Sequence, residues 1–140
     1  MQEKLTALML HEDFRPPHTL RVALANRSMR ILKARSCAEA AGLLWDEAPP
    51  HLVFTEVELR DGNWADVLRL AAMASVPVNV IVITPTVDTE FRLEAMECGA
   101  FDCLGPPFAL AYLTQIVEAA AINVLWRRGA YAQVGSEALR

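Results

Sequence analysis

Short apolar runs recur along the chain about every 25 residues, at LTALML (5–10), MRILKA (29–34), HLVFTEV (51–57), VNVIVIT (78–84) and, more weakly, FDCLG (101–105). A continuous β-branched run such as VNVIVIT suits a strand covered on both faces, as in a parallel sheet. The segments between the runs have helical spacing. The first helix is expected to start near Pro16 to Thr19 and carries Leu20, Val22, Ala23 and Leu24. CAEAAGLLWDEA (37–48) follows Ser36, a suitable cap, and stops before Pro49 and Pro50. WADVLRLAAMA (64–74) ends ahead of the turn at Ser75 to Pro77, and TEFRLEAMECG (89–99) has Asp88 or Thr89 at its cap and Gly99 past its end.

The last helix carries two apolar stripes. Leu110, Leu113, Val117, Ala120 and Val124 repeat at alternating spacings of three and four, which suits packing on a sheet. Tyr112, Ile116, Ala119 and Trp126 form a second stripe offset around the same helix. A surface helix needs only one, so the second is expected to contact another chain. The pattern predicts a helix end at Arg127 or Arg128 with Gly129 as the stop, which divides the chain into a domain at 1–128 and a tail at 129–140.

Strand and helix alternating five times argues for a three-layer, open, doubly wound α/β sheet. In such folds ligands bind outside the carboxyl ends of the strands, where the strand order reverses. The residues following each strand are therefore the candidates. The first strand runs into His11, Glu12 and Asp13, the third ends on Glu56, the fourth on Thr84, and the fifth leads to Pro106 and Pro107. Three carboxylates and a hydroxyl would converge on one rim. His11 has no second histidine at helical or hairpin spacing, which argues against a metal ligand.

Composition narrows the picture. The chain is 54% apolar and 21% charged over 140 residues, as expected of one globular domain. A net charge of -4 and the absence of clustered Lys and Arg argue against a nucleic-acid-binding surface. Cys37, Cys98 and Cys103 follow no metal-ligand spacing and read as reduced thiols. TALML is too short for a signal peptide, and FALAYLTQIVEAAAINVLW is broken by Gln115, Glu118 and Asn123, so neither a leader nor a membrane span is expected. The expected location is cytoplasmic.

HEDF (11–14), LVFTEVELRDG (52–62), VIVIT (80–84) and ECGAFDCLGPPF (97–108) together resemble the receiver domain of two-component response regulators, the CheY-like fold. The resemblance covers about residues 4 to 121. Spacing carries it as much as identity: 44 positions separate Glu12 from Glu56, 28 separate Glu56 from Thr84, and 22 separate Thr84 from Pro106. The resemblance implies a five-stranded, flavodoxin-like parallel sheet of order 2-1-3-4-5. It further implies that Glu12 and Asp13 stand where two acids help hold Mg²⁺, that Thr84 stands where a hydroxyl binds the phosphoryl group, and that the bond before Pro107 is cis. Pairing through the fourth and fifth helices is also a habit of the family.

Four positions depart from it, two of them central to its chemistry. Glu56 occupies the place of the phosphorylated aspartate, and Pro106 that of the lysine; Cys103 and Arg60 replace a usual aromatic and a usual proline. An acyl phosphate forms only with donor, acceptor and metal nearly in line, and misplacement by about 1 Å can cost a hundredfold in rate. Glutamate's added methylene shifts the carboxylate by roughly that distance. The phosphoryl group's charge also needs a cationic partner, which proline does not supply.

The expectation is a degenerate receiver: a non-enzymatic signalling module working through protein contact with a histidine kinase, another regulator or itself. Glu56 would then project a fixed negative charge toward Thr84 in partial imitation of a phosphoryl group. No resident cofactor is expected, and Mg²⁺ is left open because a hard cation needs several oxygens at once. Two alternatives stay open. One is a working receiver of a phosphorelay in which Glu56 or Asp61 takes the phosphoryl group. The other is a small flavodoxin-like enzyme or cofactor binder, although no Gly-rich phosphate loop is present.

Overall fold

The computed structural model describes residues 4–12, 16–86 and 88–138. Five parallel strands, β1 (Thr6–Leu10), β2 (Arg30–Ala34), β3 (Leu52–Glu56), β6 (Asn79–Ile83) and β7 (Asp102–Leu104), form one sheet in the order β2-β1-β3-β6-β7. Between β3 and β6 lies a two-stranded hairpin, β4 (Glu58–Leu59) with β5 (Gly62–Asn63). In order of occurrence the five main strands therefore run 2-1-3-4-5, the doubly wound order expected from the alternation and the resemblance.

The side-chain period of two explains why the central runs are apolar throughout. Ala7 and Met9 of β1, Leu52 and Phe54 of β3, and Ile81 and Ile83 of β6 face one core. That core is completed by α1 (His18–Asn26) and α5 (Leu110–Ala138). Leu8, Leu10, Val53, Val80 and Val82 alternate onto the other core, covered by α2 (Cys37–Leu44), α3 (Trp64–Ala72) and α4 (Thr89–Glu97). Each central strand is thus sealed on both sides, as parallel pairing requires. Phe54 is fully buried at the middle of the sheet, and its truncation to Ala would cost about 3–5 kcal/mol. The edge strand β2 leaves Arg30, Ile31 and Lys33 exposed, and its charges discourage edge-to-edge pairing.

Local signals end most helices where expected. Ser36 accepts from the Glu39 amide at the start of α2, and Asp88 accepts from the Glu90 amide at the start of α4. At α3, Asn63 and Asp66 form a reciprocal capping box. Gly99 follows α4 at φ +110°, a conformation that favours glycine. Helix α4 is held by few contacts: Ala95 is its only fully buried side chain, Phe91 meets Trp64 edge-to-face at 5.3 Å, and Arg92 pairs with buried Asp102 at 2.9 Å.

Three helix expectations need correction. Helix α2 ends at Leu44 rather than running to residue 48, because Trp45 leaves the helix and its indole N–H donates to the Leu70 carbonyl. Helix α5 passes through Gly129 and continues to Ala138, so the boundary placed between 128 and 129 falls inside a helix. A glycine costs about 1 kcal/mol in a helix interior, a penalty that the anchors just before it help to offset. Finally, Leu110 is exposed, whereas Ile116 packs against the core, so the two exchange the sides assigned to them.

The anchors of α5 are polar. Buried Asn79 donates to the Ala120 carbonyl and to Asn123 Oδ1, and its own Oδ1 accepts from Arg127 Nη1 at 2.6 Å. Arg128 donates to the carbonyls of Pro77 at 2.8 Å, Pro50 at 2.7 Å and Pro49 at 3.3 Å. These bonds fix the helix to the amino-terminal rim of the sheet, opposite the candidate site.

Candidate functional site

The carboxyl ends of β1, β3, β6 and β7 bring Glu12, Glu56, Thr84 and Pro106 to one rim. Glu56 is the last residue of β3, and its Oε1 accepts the Glu12 amide N–H at 2.7 Å. The side chain of Glu56 is thereby tied to the loop after β1. The Glu12 carboxylate faces Arg60 instead, with Nε to Oε1 at 3.6 Å; both side chains are partly exposed, so the pair contributes little to stability. Asp13 lies outside the described residues. Among those described, no group of three or more His, Cys, Asp or Glu side chains is placed to hold a metal ion. The described donors do not by themselves make a Mg²⁺ site.

Thr84 is buried beyond β6, and its amide donates to the Leu104 carbonyl at 2.8 Å. Its hydroxyl donates to the Thr86 carbonyl at 2.9 Å and accepts the Thr86 amide at 3.3 Å. This closed local turn occupies the hydroxyl, and no hydrogen bond joins it to Glu56. Glu56 Oε1 is engaged by the Glu12 amide and the Thr84 hydroxyl by Thr86, and both residues line the same cleft.

Asp61 is occupied as well. From the β4–β5 turn its two oxygens accept the Cys37 amide at 2.8 Å and the Ala38 amide at 3.0 Å, at the start of α2. Those amides hold its carboxyl below the ordinary range. Burial, and next the Asp61 charge, push the neighbouring Cys37 thiol up to about 11. With both oxygens spent on a helix N-terminus, Asp61 is a fastener between hairpin and helix. At Gly62 beside it a Cβ would stand 2.7 Å from Asp66 Oδ2 and 2.9 Å from Cys37 Sγ, so these side chains would have to shift to admit one.

The Pro106–Pro107 peptide bond is cis, and the next residue, Phe108, has φ +52°. The Phe108 carbonyl accepts the Thr19 hydroxyl at 2.7 Å, which ties the β7–α5 turn to α1. Above the strand ends lies a cleft of about 390 Å³ lined by Glu56, Val57, Glu58, Ile83, Thr84, Pro85, Pro106 and Phe108. Among the described residues no basic side chain lines it. On the far side of β7, burial and then the Asp102 charge push the Cys103 thiol up to about 11.

The sequence profile of the response regulator receiver domain family matches residues 12–118. The chain belongs to this family. Among curated relatives, the receiver is 28% identical over 114 residues to the response regulator protein PilR of Pseudomonas aeruginosa, covering 81% of this chain and 25% of PilR. It is 31% identical over 86 residues to the transcriptional regulatory protein CusR of Escherichia coli, covering 61% of this chain and 36% of CusR. The receiver thus spans about a quarter of PilR and about a third of CusR. Solved structures share the fold: NtrX from Brucella abortus superposes at TM-score 0.76 with 17% identity, covering 94% of this chain and 30% of that one. The non-phosphorylated HemR receiver domain from Leptospira biflexa superposes at 0.67 with 24% identity, covering 84% and 94%.

Three features of the site were not read from the sequence. They are the Arg60–Glu12 pair, the Asp61 clasp on α2 and the Thr84–Thr86 turn. Only the last had a local signal, a threonine two residues before a second one across a proline, which suits a hydroxyl-capped turn.

Proposed function

We propose that this receiver is a signalling module that works by protein contact without being phosphorylated. The observation that carries the reading is the pair of substitutions on the rim: Glu56 at the acceptor position, with one oxygen committed to the Glu12 amide, beside Pro106 with no charge to offer. A phosphoryl group there would meet carboxylates and no lysine, an arrangement that disfavours its charge. The module is not an enzyme in this reading, and it needs no resident metal or cofactor.

Its partners would be a histidine kinase, another regulator, or a second copy meeting it on the α4 and α5 side. Support for the last comes from exposed apolar residues on both helices: Leu93 and Met96 on α4, and Tyr112, Ala119, Ile122 and Trp126 on α5. Trp126 is 72% exposed, unusual for the largest apolar side chain. No helix among the described residues is long and apolar enough to cross a membrane, and a cytoplasmic location fits the reading.

Sedimentation velocity with and without acetyl phosphate and Mg²⁺ tests it. The expected result is one concentration-dependent self-association, weakened by Trp126→Ser and identical under both conditions. A distribution that responds to the phosphodonor would contradict it.

A further inference from the structure

We propose that the cleft above β3, β6 and β7 is a binding site for a small arylalkyl amine. The inference deepens the reading of this rim as a site that takes no phosphoryl group, and rests on it. The cleft's volume, about 390 Å³, lies within the range of sites that enclose small organic ligands. Its walls are the apolar groups of Val57, Ile83, Pro85, Pro106 and Phe108. Phe108 holds its place at φ +52°, a costly conformation for an aromatic residue, and the Thr19 hydroxyl on its carbonyl helps to maintain it.

The polar groups of the cleft determine the charge of its occupant. Among the described residues of the lining, Glu56 and Glu58 are carboxylates without a basic neighbour, and Glu56 has one oxygen beyond the one committed to the Glu12 amide. The Thr84 hydroxyl is closed on Thr86 and is not offered. An anion is repelled, and a neutral apolar molecule leaves the Glu56 charge unanswered at the cleft's edge. An ammonium on a short arm answers it, while an aromatic ring fills the space between Phe108 and the prolines. Proline at 106 serves this twice, by removing a competing cation and by supplying a flat apolar wall.

Tryptamine is a suitable probe, with tryptophol as its uncharged counterpart and indole-3-propionate as its anionic one. In amide NMR titrations of the whole chain, tryptamine is expected to give saturable shifts at Val57, Glu58, Thr84 and Phe108. Tryptophol should bind about tenfold more weakly, the factor expected of one charge-assisted hydrogen bond at a partly exposed site, and indole-3-propionate not at all. Glu56→Gln keeps an acceptor for the Glu12 amide and should erase the preference for tryptamine over tryptophol. Val57→Trp, which fills the cleft, should weaken both. The inference is overturned if tryptamine shifts no amide of the cleft, if tryptophol binds as well, or if Glu56→Gln leaves the ratio unchanged. Intact mass after treatment with acetyl phosphate separates the two readings. A phosphoryl adduct overturns the reading of the rim, whereas unchanged mass with no amine binding overturns this inference alone.

Discussion

The bonds that hold α5 to the base of the sheet predict what the loss of one side chain does to the long helix. Arg128 satisfies the carbonyls of Pro50 and Pro77 at hydrogen-bond distance and that of Pro49 more weakly. Pro49 and Pro50 are buried, so Arg128→Ala leaves carbonyl groups that water reaches poorly. A bond to a charged donor contributes about 1.5–3 kcal/mol when well buried, and an unsatisfied buried acceptor costs about 1–3 kcal/mol. Arg128 is only half-buried, and the third contact is long, so about 2–3 kcal/mol is the reasonable total. At about 3 °C per kcal/mol for a domain of this size, Tm falls by roughly 5–10 °C. Urea unfolding measures the loss, and hydrogen exchange locates it, with protection lost first at 126–132. Lysine at 128 recovers less than half, since an ammonium cannot reach separate carbonyls with the guanidinium's planar fork. A loss below about 0.5 kcal/mol with unchanged exchange along α5 would refute the role assigned to this arginine.

Thiol chemistry separates the cysteines. With Cys37 and Cys103 pushed up to about 11 and buried, roughly one molecule in a thousand carries either thiolate at pH 8, so a disulfide reagent should titrate exposed Cys98 rapidly and the other two only on unfolding. Because the Asp61 carboxyl is held below its ordinary value of 3.8, its contribution is complete above that value and disappears as pH falls through the lowered one. Asp61→Asn should therefore lower Tm at pH 7 and flatten the acid limb of the stability curve, and an acid limb unchanged by the mutation would contradict the clasp. Gly62→Ala drives a Cβ into Asp66 and Cys37 and should cost about 1–3 kcal/mol in urea unfolding, with no change at all as the contrary result.

How much of this was legible in the sequence follows the range of the forces involved. The strands show because each central one is sealed on both faces, which makes VNVIVIT and HLVFTEV apolar almost without interruption. Caps at Ser36, Asn63 and Asp88 act within three residues and are equally visible in principle, although Asn63 was not singled out. What fails is long-range. Helix α2 stops at Leu44 because Trp45 reaches Leu70, and Asp61 serves α2 across 24 residues. Gly129 misleads for the opposite reason: a glycine ends a helix by turning left-handed, and Gly99 does so while Gly129 does not.

The same distinction holds at the rim. Spacing brought Glu12, Glu56, Thr84 and Pro106 together because the fold fixes where strands end. It did not reveal which atoms they bond. The Glu56 carboxylate goes to a backbone amide and the Thr84 hydroxyl to its own turn, choices set by a loop geometry that residue types alone do not encode.

The central claim is that this receiver lacks the means to accept and hold a phosphoryl group, and intact mass spectrometry after incubation with acetyl phosphate and Mg²⁺ tests it most directly. The wild-type chain should keep its mass, whereas Glu56→Asp combined with Pro106→Lys, which restores both the shorter acid and the cation, should gain one phosphoryl group. A phosphoryl adduct on the wild-type chain would contradict the account.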